Sequence, residues 1–157
     1  MKIIGHSGVY TLTAEQFLPI GRDRAWEFLS DPANLLKITP PEMRFEITSG
    51  EVERPAYPGQ IITYRVSPIK GIRSNWVTEI TQVQEGEFFI DEQRSGPYTI
   101  WHHEHRLKDA PGGVIMQDKI TYKLPMGLVG RLVHPWLVRP QLIRIFTYRE
   151  SRLQQLF

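Results

Sequence analysis

Cysteine is absent from the 157 residues, which removes disulfides, thiolate metal sites and a cysteine nucleophile together and fits a reducing compartment. No apolar run approaches the roughly 20 residues that a membrane-spanning helix needs. The apolar stretch within MKIIGHSGVY is too short for a secretory signal, so a cytoplasmic protein is expected. A dense basic stripe is missing too: 19 basic residues against 17 acidic leave a net charge of +2, and no nucleic-acid partner is expected. There is no Gly-x-Ser-x-Gly elbow, and Ser67, Ser74 and Ser95 fall at strand ends or in turns, where serine commonly serves the backbone. GLVG at Gly127 to Gly130 has neither the spacing nor the preceding strand of a phosphate-cradling loop. Without repeats, low-complexity tracts or linkers, the length suits a single domain over residues 1–157.

What is present is mostly period-two alternation broken by turn chemistry. A first strand is expected over Val9 to Phe17. After it, Ala25, Trp26 and Leu29 share a helical face, and Asp31 caps a second short helix that has Pro32 at its first position. Thr39-Pro40-Pro41 ends that helix, because neither proline donates a hydrogen bond. Six more strands are expected: Arg44 to Glu51, Gln60 to Val66, Ser74 to Val83, Glu87 to Gln93, Ile100 to Lys108 and Val114 to Lys123. Tyr57-Pro58-Gly59, Glu85-Gly86, Gly96-Pro97 and Pro111-Gly112-Gly113 connect them, and such short connections imply antiparallel neighbours. From Met126 onward the period becomes helical, with Leu142, Ile143, Phe146, Leu153, Leu156 and Phe157 on one side and a kink or break expected at Pro135 and Pro140. The layout is α+β, and a curved sheet closed by one long helix leaves space between them.

Three segments carry a resemblance: PIGRDRAWEFLSDPANLLKITPPEM, then SNWVTEITQVQEGEFFIDEQRSGPYTIWHHEHRL, then LVGRLVHP followed by IFTYRESRLQQLF. Together they span nearly the whole chain and resemble the START-like (SRPBCC) superfamily, most closely its small bacterial polyketide-cyclase and coenzyme-Q-binding branch. The resemblance implies a helix-grip fold, with a seven-stranded curved antiparallel sheet around a long C-terminal helix and two short helices after the first strand. It also implies a cavity for an apolar or amphipathic small molecule. It fixes no chemistry, since the superfamily includes carriers, cyclases and dehydratases.

The densest cluster of chemistry is WHHEHRL, Trp101 to Leu107. On a strand Trp101, His103, His105 and Leu107 form one row, and His102, Glu104 and Arg106 form the other. The first row is bracketed by large apolar residues and is expected to face the helix. On the last strand Val114, Met116, Asp118, Ile120 and Tyr122 read as inward, because their alternates are mostly polar. For the strand that precedes the histidine row, Phe89, Asp91 and Gln93 are taken as inward on their likeness to the superfamily wording before the Gly-Pro turn, although Ile90 argues for the opposite face. One carboxylate beside His103 or His105 is expected.

These rows give the expected cavity wall: Tyr64, Trp76, Phe89, Trp101, Met116, Ile120, Tyr122, Leu132 and Phe146, with Asp91, Gln93, His103, His105 and Asp118 orienting a polar group. The expected function is binding of a hydrophobic or amphipathic small molecule such as a lipid, quinone or polyketide. The alternative is a cyclase, dehydratase or lyase using His103 or His105 with Asp91 or Asp118. His-x-His aims two imidazoles one way and an adjoining acid could complete a metal site, but His6 lies in the N-terminal tail and His134 on the distant helix, so neither a metal nor a cofactor is expected. The segment GLVGRLVHPWLVRPQLIRIF also has the composition of a helix lying in a membrane interface. It admits transient membrane contact, against the plainer account in which Arg131, Arg139 and Arg144 are the solvated side of a cavity-covering helix.

Overall fold

The computed structural model describes residues 1–69 and 72–157. Its strands are β1 (Lys2–His6), β2 (Val9–Leu18), β3 (Glu46–Ile47), β4 (Ile61–Ile69), β5 (Ile72–Gln84), β6 (Phe88–Ser95), β7 (Ile100–Ala110) and β8 (Gly113–Lys123). They form one sheet in the order β1-β2-β8-β7-β6-β5-β4-β3, every neighbouring pair antiparallel. Short hairpin connections make β4 through β8 sequential neighbours, and only β2 returns across the sheet to lie beside β8.

Eight strands stand where seven are expected. The extra one, β1, pairs with β2 through a tight turn whose Ser7 and Gly8 both have positive φ, so His6 sits on a strand and not in a tail. The expected strand from Arg44 to Glu51 shrinks to Glu46–Ile47 because Pro41–Met43 forms a 3-10 turn that ends on Arg44 in the left-handed region. Irregular register between Val77 and Thr78 and between Ile80 and Gln82 breaks the β5–β6 ladder. Extra residues at such points bend a strand and increase its twist.

Helix α1 (Arg22–Leu29) is followed by the 3-10 segment Pro32–Ile38, where the Asp31 carboxylate accepts a hydrogen bond from the Ala33 N–H at 2.9 Å. The C-terminal region runs as α2 (Leu128–Val133), one wide π turn at His134–Val138, and α3 (Arg139–Leu156). Neither Pro135 nor Pro140 can donate, and the Arg139 N–H reaches back to the His134 carbonyl; the rod widens there instead of breaking. Two apolar clusters hold α3 to the sheet. One gathers Leu18, Trp26, Ile80, Leu107 and Leu153, the other Leu12, Ile120, Tyr122, Leu142 and Phe146.

Candidate functional site

Between α3 and the concave face of the sheet lies a chamber of about 190 Å³ with mainly apolar lining. Tyr64, Trp76, Phe89, Asp91, Trp101, His103, His105, Ile120 and Phe146 are on its wall, as are Ile62, Tyr98, Leu142 and Arg149. Half-buried Asn34, Leu35, Pro68, Gln141 and Ile145 line it as well. Trp76 and Trp101 meet edge to face at 5.1 Å, with Tyr98 packed on both. These four-to-six-ångström contacts build a rigid aromatic side to the space.

Opposite chemistry gathers on three adjacent strands. The register sets Asp91 of β6 across from His103 of β7, and His105 of β7 across from Asp118 of β8. All four side chains share one sheet face. His105 Nε2 lies 2.7 Å from Asp91 Oδ2, and His103 Nε2 lies 2.9 Å from Asp118 Oδ1. The remaining ring nitrogens face the remaining acids: His105 Nδ1 is 3.1 Å from Asp118 Oδ1, and His103 Nδ1 is 3.5 Å from Asp91 Oδ2. From α3, the Arg149 guanidinium comes within 3.3 Å of Asp118 Oδ1 and lies over the Phe146 ring. A second pocket of about 50 Å³, bounded by Gln16, Met116, Asp118 and Arg149, has room for a water beside Asp118 Oδ2 and Arg149 Nε, which have no hydrogen-bond partner among the described residues.

Burial pushes against every charge in this network, so its partners decide the protonation. For Asp118, burial alone would favour the acid, yet Arg149 and the two imidazoles hold the carboxyl well below its ordinary range. Asp91 is likewise kept below its usual value, against burial, by His103, His105 and Arg149. The imidazoles diverge. Burial and the neighbouring His105 lower His103, whereas hydrogen bonds to Asp118 and Asp91 overcome burial and raise His105. These directions favour the neutral form of His103, the charged form of His105 and the carboxylate forms of both acids.

The outer row stays apart from this arrangement. His102 Nδ1 is 2.8 Å from Glu92, Lys119 pairs with Glu104 at 2.8 Å, and Arg106 lies over Phe88.

Five of the expected site residues lie off the chamber wall. Leu132 is 73% exposed on α2, because the wide π turn separates α2 from the face of α3 that meets the sheet. Gln93 uses its amide on the following turn: its Nε2 donates to the Tyr98 carbonyl at 2.6 Å and its Oε1 accepts from the Tyr98 N–H. A side chain at Gly96 would collide with that amide. Tyr122 is fully buried behind the wall, its hydroxyl 2.8 Å from His134 Nε2. Met116 and Asp118 border the second pocket, although Asp118 organises the first through the imidazoles.

Arg149 is a buried charged wall residue outside the expected set. Its signal is positional, since 142, 146, 149 and 153 follow the i, i+4, i+7, i+11 face of α3 and all four are buried. An arginine on that face is 8% exposed and needs an internal acid.

No family model and no curated protein matches the sequence. Solved structures do resemble the chain throughout its length. Protein Ms6760 from Mycobacterium smegmatis superposes with a TM-score of 0.67 at 18% identity, covering 100% of this chain and 99% of that one. The chain has the helix-grip fold. Two further helix-grip neighbours are KanY (ms6282), at TM-score 0.69 and 13% identity over 99% of this chain and 97% of that one, and Ara h 8.0201, at 0.62 and 17% over 94% and 99%. Among the described residues, no helix is long and apolar enough to cross a membrane.

Proposed function

We propose that this helix-grip chain, as a START-like domain, binds a small amphipathic molecule in the chamber, with its apolar body against Trp76, Trp101, Tyr98 and Phe146 and its polar end toward Asp91, His103 and His105. One observation supports this above all: a mainly apolar space of about 190 Å³ with Asp91, His103 and His105 together on its wall. Such polarity fixes orientation while the apolar wall supplies affinity. An apolar cavity of about 150 Å³ holds a benzene molecule, so the space suits one or two rings or a short chain better than a whole two-chain lipid. Native mass spectrometry of freshly purified protein tests the reading. A small organic molecule carried in one-to-one ratio supports it, and consistently bare protein after gentle release counts against it.

A specific contact supports the second reading, an acid-base enzyme of the cyclase or dehydratase kind. His105 and Asp91 are within 2.7 Å of each other and both line open space, as a proton-transfer pair must. Turnover of the molecule found by mass spectrometry, lost in His105→Gln, would separate enzyme from carrier.

The route by which ligand arrives belongs to the same proposal. Met126, Leu128, Val129, Leu132 and Trp136 are all exposed around α2, and from Leu124 to Arg149 the sequence has four arginines and no acidic residue. Apolar side chains projecting from a basic, acid-free segment match an anionic lipid surface in both respects. We assign transient membrane contact to this segment.

A further inference from the structure

The geometry points to a divalent transition-metal site formed by His103 Nδ1, His105 Nε2 and Asp91 Oδ2 on the chamber wall. The expectation against a metal rests on the lack of a further histidine beside the pair and an adjoining acid, but those two imidazoles and the Asp91 carboxylate already supply three donors. One donor atom from each of Asp91, His103 and His105 lies within 4.8 Å of the other two. Two of their separations are 2.7 Å, from His105 Nε2 to Asp91, and 3.5 Å, from His103 Nδ1 to Asp91. Donors bound at about 2.0–2.2 Å to one ion are separated by roughly 2.8–3.6 Å in octahedral or tetrahedral geometry; the 3.5 Å separation lies within that range and the 2.7 Å separation falls just short of it.

Arrangement matters more than proximity. The far nitrogens of both imidazoles, His103 Nε2 and His105 Nδ1, converge on the same oxygen of Asp118, and Arg149 fixes that carboxylate. A carboxylate behind a metal-binding histidine sets its tautomer and turns its other nitrogen outward; here one acid does so for two rings. With Nε2–H of His103 donated to Asp118, its Nδ1 lone pair faces the Asp91 carboxylate at 3.5 Å, too far for a hydrogen bond. Two electron-rich atoms aimed at one point gain from a cation between them. For His105, a bound metal takes the Nε2 position that a proton otherwise holds, while its Nδ1–H stays on Asp118. Two nitrogens and one oxygen, open on the chamber side, suit Fe²⁺, Zn²⁺ or Co²⁺ and leave coordination positions for an oxygen-bearing ligand.

This assignment does not depend on the small-molecule reading, because metal uptake is measured on protein freed of organic ligand. The experiment uses the full chain made without a metal-affinity tag, stripped with chelator and titrated with Co²⁺ and then with Zn²⁺. One Co²⁺ per chain, visible ligand-field absorption of a nitrogen-oxygen site, competition by Zn²⁺ and a Zn²⁺-dependent rise in melting temperature are expected. Asp91→Asn should abolish stoichiometric uptake, and Asp118→Asn should weaken it by about 10- to 100-fold. Should either variant fold poorly, the wild-type spectrum and stoichiometry still decide. Sub-stoichiometric or unsaturable uptake by folded wild type, or unchanged affinity in a folded Asp91→Asn protein, would overturn the site.

Discussion

Replacing Arg149 with methionine tests how the polar end of the chamber is held together. Arg149 leaves 10% of its side chain exposed and Asp118 only 1%, so removing the guanidinium leaves a buried carboxylate with little access to water beyond the small pocket beside its Oδ2. Breaking a buried ion pair from one side destabilises by about 3–5 kcal/mol. The lower end applies here, because Asp118 keeps the His103 and His105 donors. A loss of about 3 kcal/mol corresponds to a drop of roughly 6–12 °C in melting temperature for a chain of this size. The double variant Asp118→Asn, Arg149→Met removes one charge of each sign and restores neutrality, so it should be more stable than the sum of the two single changes predicts, by about 1 kcal/mol or more. Urea and thermal unfolding of the four proteins in excess chelator measure this cycle. A loss under about 1 kcal/mol for Arg149→Met, or strict additivity, would refute the argument that α3 is pinned through Asp118.

Two other outcomes follow from the same structure. His134 is buried with its ring stacked on Tyr10 at 3.6 Å and bonded to the Tyr122 hydroxyl, and burial together with Arg139 lowers its pKa. It is thus neutral in the fold but takes a proton near pH 6.5 when unfolded. The stability it contributes is complete above about pH 6.5 and is lost as pH falls, since the unfolded chain binds the extra proton. His134→Asn should flatten the decline in unfolding free energy between pH 7 and 5, and parallel profiles would contradict it. On the outer surface, Leu132→Ser with Trp136→Ser should sharply reduce cosedimentation with anionic liposomes at moderate salt without lowering the melting temperature; wild-type protein left wholly in the supernatant would dismiss membrane contact.

Legibility of the sequence tracked how one-sided each element is. Strands β4 through β8 alternate because one face meets α3 and the other meets water, and β8 shows the inner row Val114, Met116, Asp118, Ile120 and Tyr122 buried without exception. Lys2–His6 escaped detection because no residue of β1 is fully buried; with no inner face there is no alternation to read. The face of β6 was ambiguous for the opposite reason, since Phe89 and Ile90 are both buried. On that strand only Phe89 and Asp91 line the chamber. Leu132 was misjudged because helical periodicity continues through sequence that the π turn rotates in space. The helical face marks Arg149 as buried, but its acid lies 31 residues away on another element, a pairing that no local pattern encodes.

The most direct test of the chamber is saturation binding of an apolar, environment-sensitive fluorescent probe to protein stripped of organic ligand, compared with Val66→Trp. Val66 is buried on the chamber wall, and an indole there should fill the space for about 1–3 kcal/mol of stability. One saturable site per wild-type chain with blue-shifted emission, abolished in a folded Val66→Trp protein, is predicted. Absence of saturable binding to the wild type, or equal binding by the filled variant, would contradict the account.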